Sequence, residues 1–194
     1  MALDLLHYLR IQAHANRLAN HRQLTAMAPL TRDELHAPRT SFFPSLIETL
    51  NHILMVDVYY IAALHGEADM VAQADAVPRH ETLATLAPAQ AAADARLIGF
   101  CDRLDAAGLD AEVRMQRRDH VQRDRAGHVL AHLLNHQVHH RGQVHAMLAG
   151  TRIAPPQLDE FMMPSEAHLR RPDMAALGWL ERDVYGELLP PSPA

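Results

Sequence analysis

Residues 127–148 read GHVLAHLLNHQVHHRGQVHAML. Val129, Leu130, Leu133, Leu134, Val144, Met147 and Leu148 share one broad face at 3.6 residues per turn, so the stretch predicts one long helix. Gly150 ends it. His136 and His140 are four apart and project from the same side, one turn apart. They lie on the apolar face or at its edge, with His132 and Gln143 beside them and Arg141 inside the apolar arc. Two neutral imidazoles at this spacing can grip one divalent cation. With 15 histidines in the chain, such pairs also arise by chance. Spacing alone leaves metal binding and a polar helix face as open alternatives.

Working outward, three more long helices emerge. Leu3 to Met27 carries Leu5, Leu9, Leu18 and Leu24 among alanines and stops before Pro29. Its His7, His14 and His21 recur every seven residues and are expected as a solvated stripe. Asn16 and Asn20 are either buried and hydrogen-bonded or exposed. After a polar connection from Pro29 to Arg39, Ser41 is the expected cap of the next helix, with Pro44 in its first turn. From Phe42 to Leu64 the chain is apolar on almost every side, the mark of a central helix. Asp57 interrupts its richest stripe, and His52 lies on another side. Gly66 to Leu86 reads as a long loop with room for one short turn. It can run the length of a helix, so the next one can lie parallel to the last. That helix is expected from Pro88 to about Ala107, stopped by Gly108, with Cys101 as a packed thiol. Leu109 to Arg125 alternates weakly and predicts a hairpin-like excursion, with Asp124 capping the histidine-bearing helix. Pro155-Pro156 then turns the chain away. Asp173 to Leu188 is an amphipathic helix, and Pro190 to Ala194 is expected to fray.

The whole is an all-α protein, a four-helix bundle with a C-terminal helical extension. Its 194 residues suffice for a substantial core, and the net charge of −5 gives no basic surface for nucleic acid. One cysteine excludes an internal disulfide framework. The N-terminus lacks a signal-peptide core and no apolar run reaches membrane-spanning length, so the expectation is a cytoplasmic protein with no membrane partner. Bundles place metals in their cores from facing helices. His52 is near the middle of the second helix and His136 and His140 near the middle of the fourth, at similar depth. Neither Glu-x-x-His nor His-Glu-x-x-His occurs.

Asn135 to Gln143, NHQVHHRGQ, continued by VHAML, resembles the signature of the DinB-like family of bacterial bundle proteins. Leu50-Asn51-His52-Ile53 with Val56-Asp57 is similar to that family's second-helix motif. Ala15-Asn16 and Ala19-Asn20 resemble its first helix, and Pro155 to Asp159 its segment after the fourth. Leu18 departs from the aromatic residue usual at its place. The resemblance covers about residues 1–160, leaving 161–194 as an extension with one amphipathic helix. It implies an up-down-down-up topology and one divalent metal held by His52, His136 and His140. Zinc and nickel suit imidazole best, and iron or manganese also fit.

Three protein ligands leave a position open for water or substrate, as in catalytic sites. Relatives in the wider superfamily include thiol-dependent transferases and an isomerase. The resemblance therefore implies a metal-dependent enzyme acting with a low-molecular-weight thiol on a small electrophile. The alternatives are hydrolysis by metal-bound water and a non-catalytic, metal-binding stress-response protein. No catalytic residue stands out; His132, His139 and Gln143 are candidates to surround the ligands. The tail's apolar stripe is expected to pack on its own bundle or on a twofold mate, giving a homodimer. Asp57 and Arg141, both at apolar positions, are expected either to pair with each other or to find separate solutions, Arg141 by snorkelling.

Overall fold

The computed structural model describes residues 4–159 and 163–186. Helix α1 (Leu5–Met27) begins where the Asp4 carboxylate accepts the His7 N–H. A short α2 (Arg32–His36) follows, closed by a reciprocal capping box between Thr31 and Glu34. Helix α3 (Leu46–Leu64) is capped by Ser45, which accepts the Glu48 N–H. Then come α4 (Met70–Asp75), α5 (Leu83–Arg103) and α6 (Ala106–Asp110). Strands β1 (Glu112–Gln116) and β2 (Val121–Arg125) pair antiparallel, Glu112 opposite Arg125 and Gln116 opposite Val121. Helix α7 (Ala126–Leu148) carries the histidine motif. A 3₁₀ turn (Pro164–Glu166) leads into α8 (Ala167–Leu177) and α9 (Glu181–Tyr185).

The protein is mainly helical, and the expected hairpin is present as a small two-stranded sheet. Several boundaries differ from expectation. Ser45, not Ser41, caps α3, so Pro44 precedes the cap instead of starting the helix. Helix α5 starts at Leu83 and contains Pro88, because its first turn closes from Leu86 N–H to Thr82 carbonyl before the proline. It stops at Arg103; Gly108 sits inside α6, its N–H held by Asp105. Asp124 does not cap α7, since its carboxylate accepts from Gln122. The tail forms two helices broken at Gly178, whose φ of 70° is left-handed. Leu188 and the Pro190 to Ala194 stretch lie outside the described residues.

Helix α1 packs on α5 and α7, and α3 on α5 and α7. Two apolar clusters result. One gathers Leu54, Ile61, Leu97, Leu130 and Leu133; the other gathers Leu46, Leu50, Leu86, Val144 and Leu148. Helix α3 spans 19 residues at a mean hydropathy of 1.2, enough to cross a bilayer by length and composition, contrary to the expectation that no run would. Here that apolarity fills both clusters.

Between the clusters lies a polar layer to which all four long helices contribute. Asn16 and Asn20 donate to Asp94 Oδ1 at 3.2 and 3.0 Å. Gln90 Nε2 bridges Asp94 and Asp57, at 3.2 and 2.7 Å. Gln137 also donates to Asp57. Arg141 Nη1 donates to Asn16 Oδ1 at 2.6 Å, Asn20 Oδ1 at 3.0 Å and Gln137 Oε1 at 3.5 Å, closing the ring. Asp57 and Arg141 are therefore both buried, yet they form no direct ion pair, and Arg141 does not reach the surface. Side-chain amides from three helices separate them and carry the charge between them. Burial, reinforced by Asp94, raises the Asp57 carboxyl to about 7; burial raises Asp94 to about 6 and lowers Arg141 to about 10.

The histidine stripe of α1 is not solvated. His14 is buried with its ring 4.8 Å from that of Trp179, and His21 lies 4.0 Å from Asp173. This face docks the C-terminal helices. Leu18 packs with Met174, Val184 and Tyr185, and Arg22 donates to Asp173 at 2.8 Å. Arg170, fully buried, meets the Glu181 carboxylate through two nitrogens and lies 4.0 Å from the Tyr185 ring centroid.

Two outcomes follow from this packing. Both layer carboxyls bind a proton more tightly when folded than when unfolded, where they titrate near 4. Their contribution to stability thus falls as pH rises from about 4 to about 7. In urea unfolding, the stability of wild type relative to Asp57→Asn should decline across that window, by at most about 1.4 kcal/mol per pH unit; a constant or widening difference would refute the raised carboxyl. Separately, Arg170→Met should detach the C-terminal helices at a cost on the order of 3 kcal/mol. Trp179 emission would then shift to longer wavelength at a temperature where the far-ultraviolet helical signal persists.

Candidate metal centre

Helix α3 presents His52 toward α7, which presents His136 and His140. His52 Nε2 lies 3.1 Å from His136 Nε2. Ring centroids are 4.5 Å apart for His52 and His140, and 4.4 Å for His136 and His140. One ligand nitrogen from each of the three lies within 4.8 Å of the others. Metal–imidazole bonds of about 2.0–2.1 Å place ligand nitrogens roughly 3.3 Å apart in tetrahedral geometry, so the trio can hold a metal ion. The structure thus brings together the three residues singled out by the resemblance. Apolar periodicity alone could not select His52, which lies off the richest stripe of α3.

The electrostatics keep these rings neutral. Burial, with repulsion from His140, lowers His52 to about 4. Burial and the neighbouring imidazoles lower His136 to about 3. Burial also lowers His140, opposed by its hydrogen bond to Gln143. Among the described residues, no carboxylate hydrogen-bonds or ion-pairs with any of the three. Three neutral imidazoles facing one another offer lone pairs to a cation and, with no carboxylate bonded to them, little stabilisation to an added proton.

Gln143 sets the direction of one lone pair. Its Oε1 lies 2.7 Å from His140 Nδ1, which assigns the proton to Nδ1 and turns the Nε2 lone pair inward. The Gln143 amide nitrogen in turn reaches His139 Nε2 at 3.2 Å. His132 stands farther out, exposed, its ring stacked 6.5 Å from that of His136.

Phe43 was not singled out from the sequence. Its ring lies 4.3 Å from His52 and 5.8 Å from His140, walling the trio from one side. The signal available was its place just ahead of the Ser45 cap, where the chain turns into α3. A cavity of about 490 Å³ opens beside it; Phe43, Met55, Val77 and Pro78 line one part with His52, and Glu48, Asp75 and Arg79 line another. Asn51 fixes the far wall by a two-way amide clip, donating to the His80 carbonyl at 2.9 Å and accepting the His80 N–H at 2.8 Å. Cys101 lies buried in the apolar core; burial pushes its thiol up to about 12, so it is a packing group and no nucleophile.

No curated protein shows significant similarity to the chain. The profile of the DinB family matches residues 6–173. The match takes in all four long helices and the three convergent histidines, and it runs past residue 160 into α8. The chain belongs to the DinB family.

Proposed function

We propose that this protein is an up-down-down-up four-helix-bundle metalloenzyme that binds one divalent ion through His52, His136 and His140. It uses that ion with a low-molecular-weight thiol to act on a small electrophile, as a transferase or isomerase. The topology is supported by the order of cross-helix contacts. Arg10 meets Asp102 while Asn20 meets Asp94, so α1 and α5 oppose each other. Asp57 meets Gln90 while His65 meets Arg96, so α3 and α5 run together. His52 meets His136 while Tyr60 meets His132, so α3 and α7 oppose each other. The bundle occupies residues 1–160, with 161–194 as its extension.

One observation carries the functional reading: three neutral imidazole nitrogens converge with no fourth metal-ligating side chain among the described residues, beside a cavity of mixed lining in which Met55, Val77 and Pro78 form an apolar part and Glu48, Asp75 and Arg79 a charged part. A bound divalent ion supplies Lewis acidity that lowers the pKa of a thiol or water. The chain's residues do the rest. Gln143 holds the His140 tautomer, Phe43 excludes water from one side, and Met55, Val77 and Pro78 offer an apolar seat for the electrophile. Zinc or nickel is the preferred ion, and iron or manganese is compatible with the donor set. The absence of a bonded carboxylate near the trio, among the described residues, favours a second reading, a non-catalytic metal-binding stress-response protein. The protein is proposed to be cytoplasmic and homodimeric. Since the C-terminal helices cover their own α1, the mate would sit on the face where Leu5, Tyr8 and Val138 are exposed.

Protein purified without a tag should contain close to one divalent ion per chain by elemental analysis. His136→Ala combined with His140→Ala should abolish it; full occupancy in that variant would sink the site. Gln143→Ala should weaken metal affinity by about 10–100-fold. With metal bound, an added thiol should be consumed in the presence of a small electrophile, and chelation should stop it. Metal binding without such consumption would favour the non-catalytic reading. Sedimentation as a strict monomer at micromolar concentration would exclude the dimer.

A further inference from the structure

The turn between β1 and β2 carries Arg117, which folds back over α3. Its guanidinium carbon lies 5.2 Å from the Tyr59 ring centroid and 5.6 Å from that of Tyr60. Nε donates to Gln122 Oε1 at 2.9 Å, and Nη2 donates to the Tyr60 hydroxyl at 3.2 Å. Tyr59 holds the turn in place by donating to the Gln116 carbonyl at 2.6 Å. The cation is thus half-buried and held on two aromatic rings.

It makes no ion pair with an acid among the described residues, although the Asp124 carboxylate attracts it through space. The other strand arginines are all matched, Arg114 and Arg123 to Glu112 and Arg125 to Asp110. Among the described residues, no carboxylate lies within ion-pair distance of Arg117. Asp124, the nearby acid, accepts instead from Gln122. Nη1 and one hydrogen of Nη2 remain free, an edge that takes a carboxylate through two parallel hydrogen bonds.

The location gives this edge a use. The Tyr60 ring lies 5.0 Å from that of His132, and the His132 ring stacks 6.5 Å from that of His136. A line of rings therefore runs from Arg117 to the histidine trio. Those ring-to-ring steps bound the separation of the Arg117 guanidinium from the His136 ring at about 17 Å. A tripeptide-sized thiol of roughly 10 Å, with a metal–sulfur bond of about 2.3 Å at one end and a guanidinium–carboxylate hydrogen bond of about 2.8 Å at the other, covers most of that length. We propose that Arg117, on its Tyr59–Tyr60 platform, binds a carboxylate of the low-molecular-weight thiol whose sulfur is directed to the His52–His136–His140 site. This inference rests on the thiol reading of the site and adds the group that selects an acidic thiol over a neutral one.

The test separates the two. S-methylglutathione, whose sulfur is blocked, and its diethyl ester are titrated calorimetrically into metal-free wild type, Arg117→Gln and Arg117→Lys. Wild type should prefer the free acid by about tenfold, equivalent to one charge-assisted contact. Arg117→Gln should lose that preference while binding the ester as wild type does. Arg117→Lys, with charge but no fork, should keep part of it. Equal affinities for acid and ester in wild type would overturn the proposal. So would equal weakening of both probes in Arg117→Gln, which would mark Arg117 as a hairpin anchor only. A thiolate-to-metal absorption band, on adding reduced glutathione to cobalt-loaded protein, reports the thiol reading independently. Its absence beside an intact acid preference would remove the thiol chemistry and leave the carboxylate site standing.

Discussion

The structure depends on how the four long helices bury three charges at one level. Asp57, Asp94 and Arg141 would each be costly in an apolar interior. The solution is a closed ring in which Gln90, Gln137, Asn16 and Asn20 stand between these ions and give each helix a polar partner on its neighbours, while Arg17 approaches Asp94 directly at 3.5 Å. Such a ring tolerates little sliding. Moving any helix by one turn would strand a carboxylate or a guanidinium among leucines. Apolar clusters above and below supply cohesion but little discrimination, since one leucine substitutes for another along a groove. Register comes from the layer.

That register is what makes the histidine site possible. Gln137 follows His136 and Arg141 follows His140, so the residues that lock α7 in place alternate with those that face α3. Asp57, one turn and a half beyond His52, locks α3 to the same level. Burial and mutual repulsion of their charged forms keep the three imidazoles neutral, and their only side-chain hydrogen-bond contacts among the described residues are His52 with His136 and His140 with Gln143. Rigidity imposed from the core keeps them converged. A site assembled in this way starts with its three donors already gathered, so that only small ring movements separate it from ligating geometry.

The long helices, the hairpin and the buried thiol were legible in sequence because each rests on local periodicity or composition. The trio was legible only through resemblance, for a reason visible in α3: His52 lies away from the stripe that carries Asp57, and nothing local ties it to α7. The Asp57–Arg141 expectation identified the right residues and the wrong connection. Sequence shows that a buried charge needs a partner, but not that glutamines and asparagines on other helices will stand between. Two of the boundary errors, at Pro88 and Gly108, share a cause. Pro88 and Gly108 are strong punctuators, and their usual positions were assumed; the structure shows one inside a helix and the other within a second, Asp-capped turn. The small α2 was announced by its Thr31-x-x-Glu34 pattern, which was read as part of a polar connection.

The docking of α8 and α9 on α1 has a bearing on biosynthesis. Arg22 and Asp173 are 151 positions apart, so the outer face of the first helix stays bare until α8 and α9 have been made. During that interval Leu18 and its neighbours have no cover, while the layer beneath them can already assemble once α7 has left the ribosome. Between the emergence of α7 and that of α9 the nascent protein is therefore a register-locked body with one apolar flank open. That is the stage at which a chaperone, or another incomplete copy, would find most to bind.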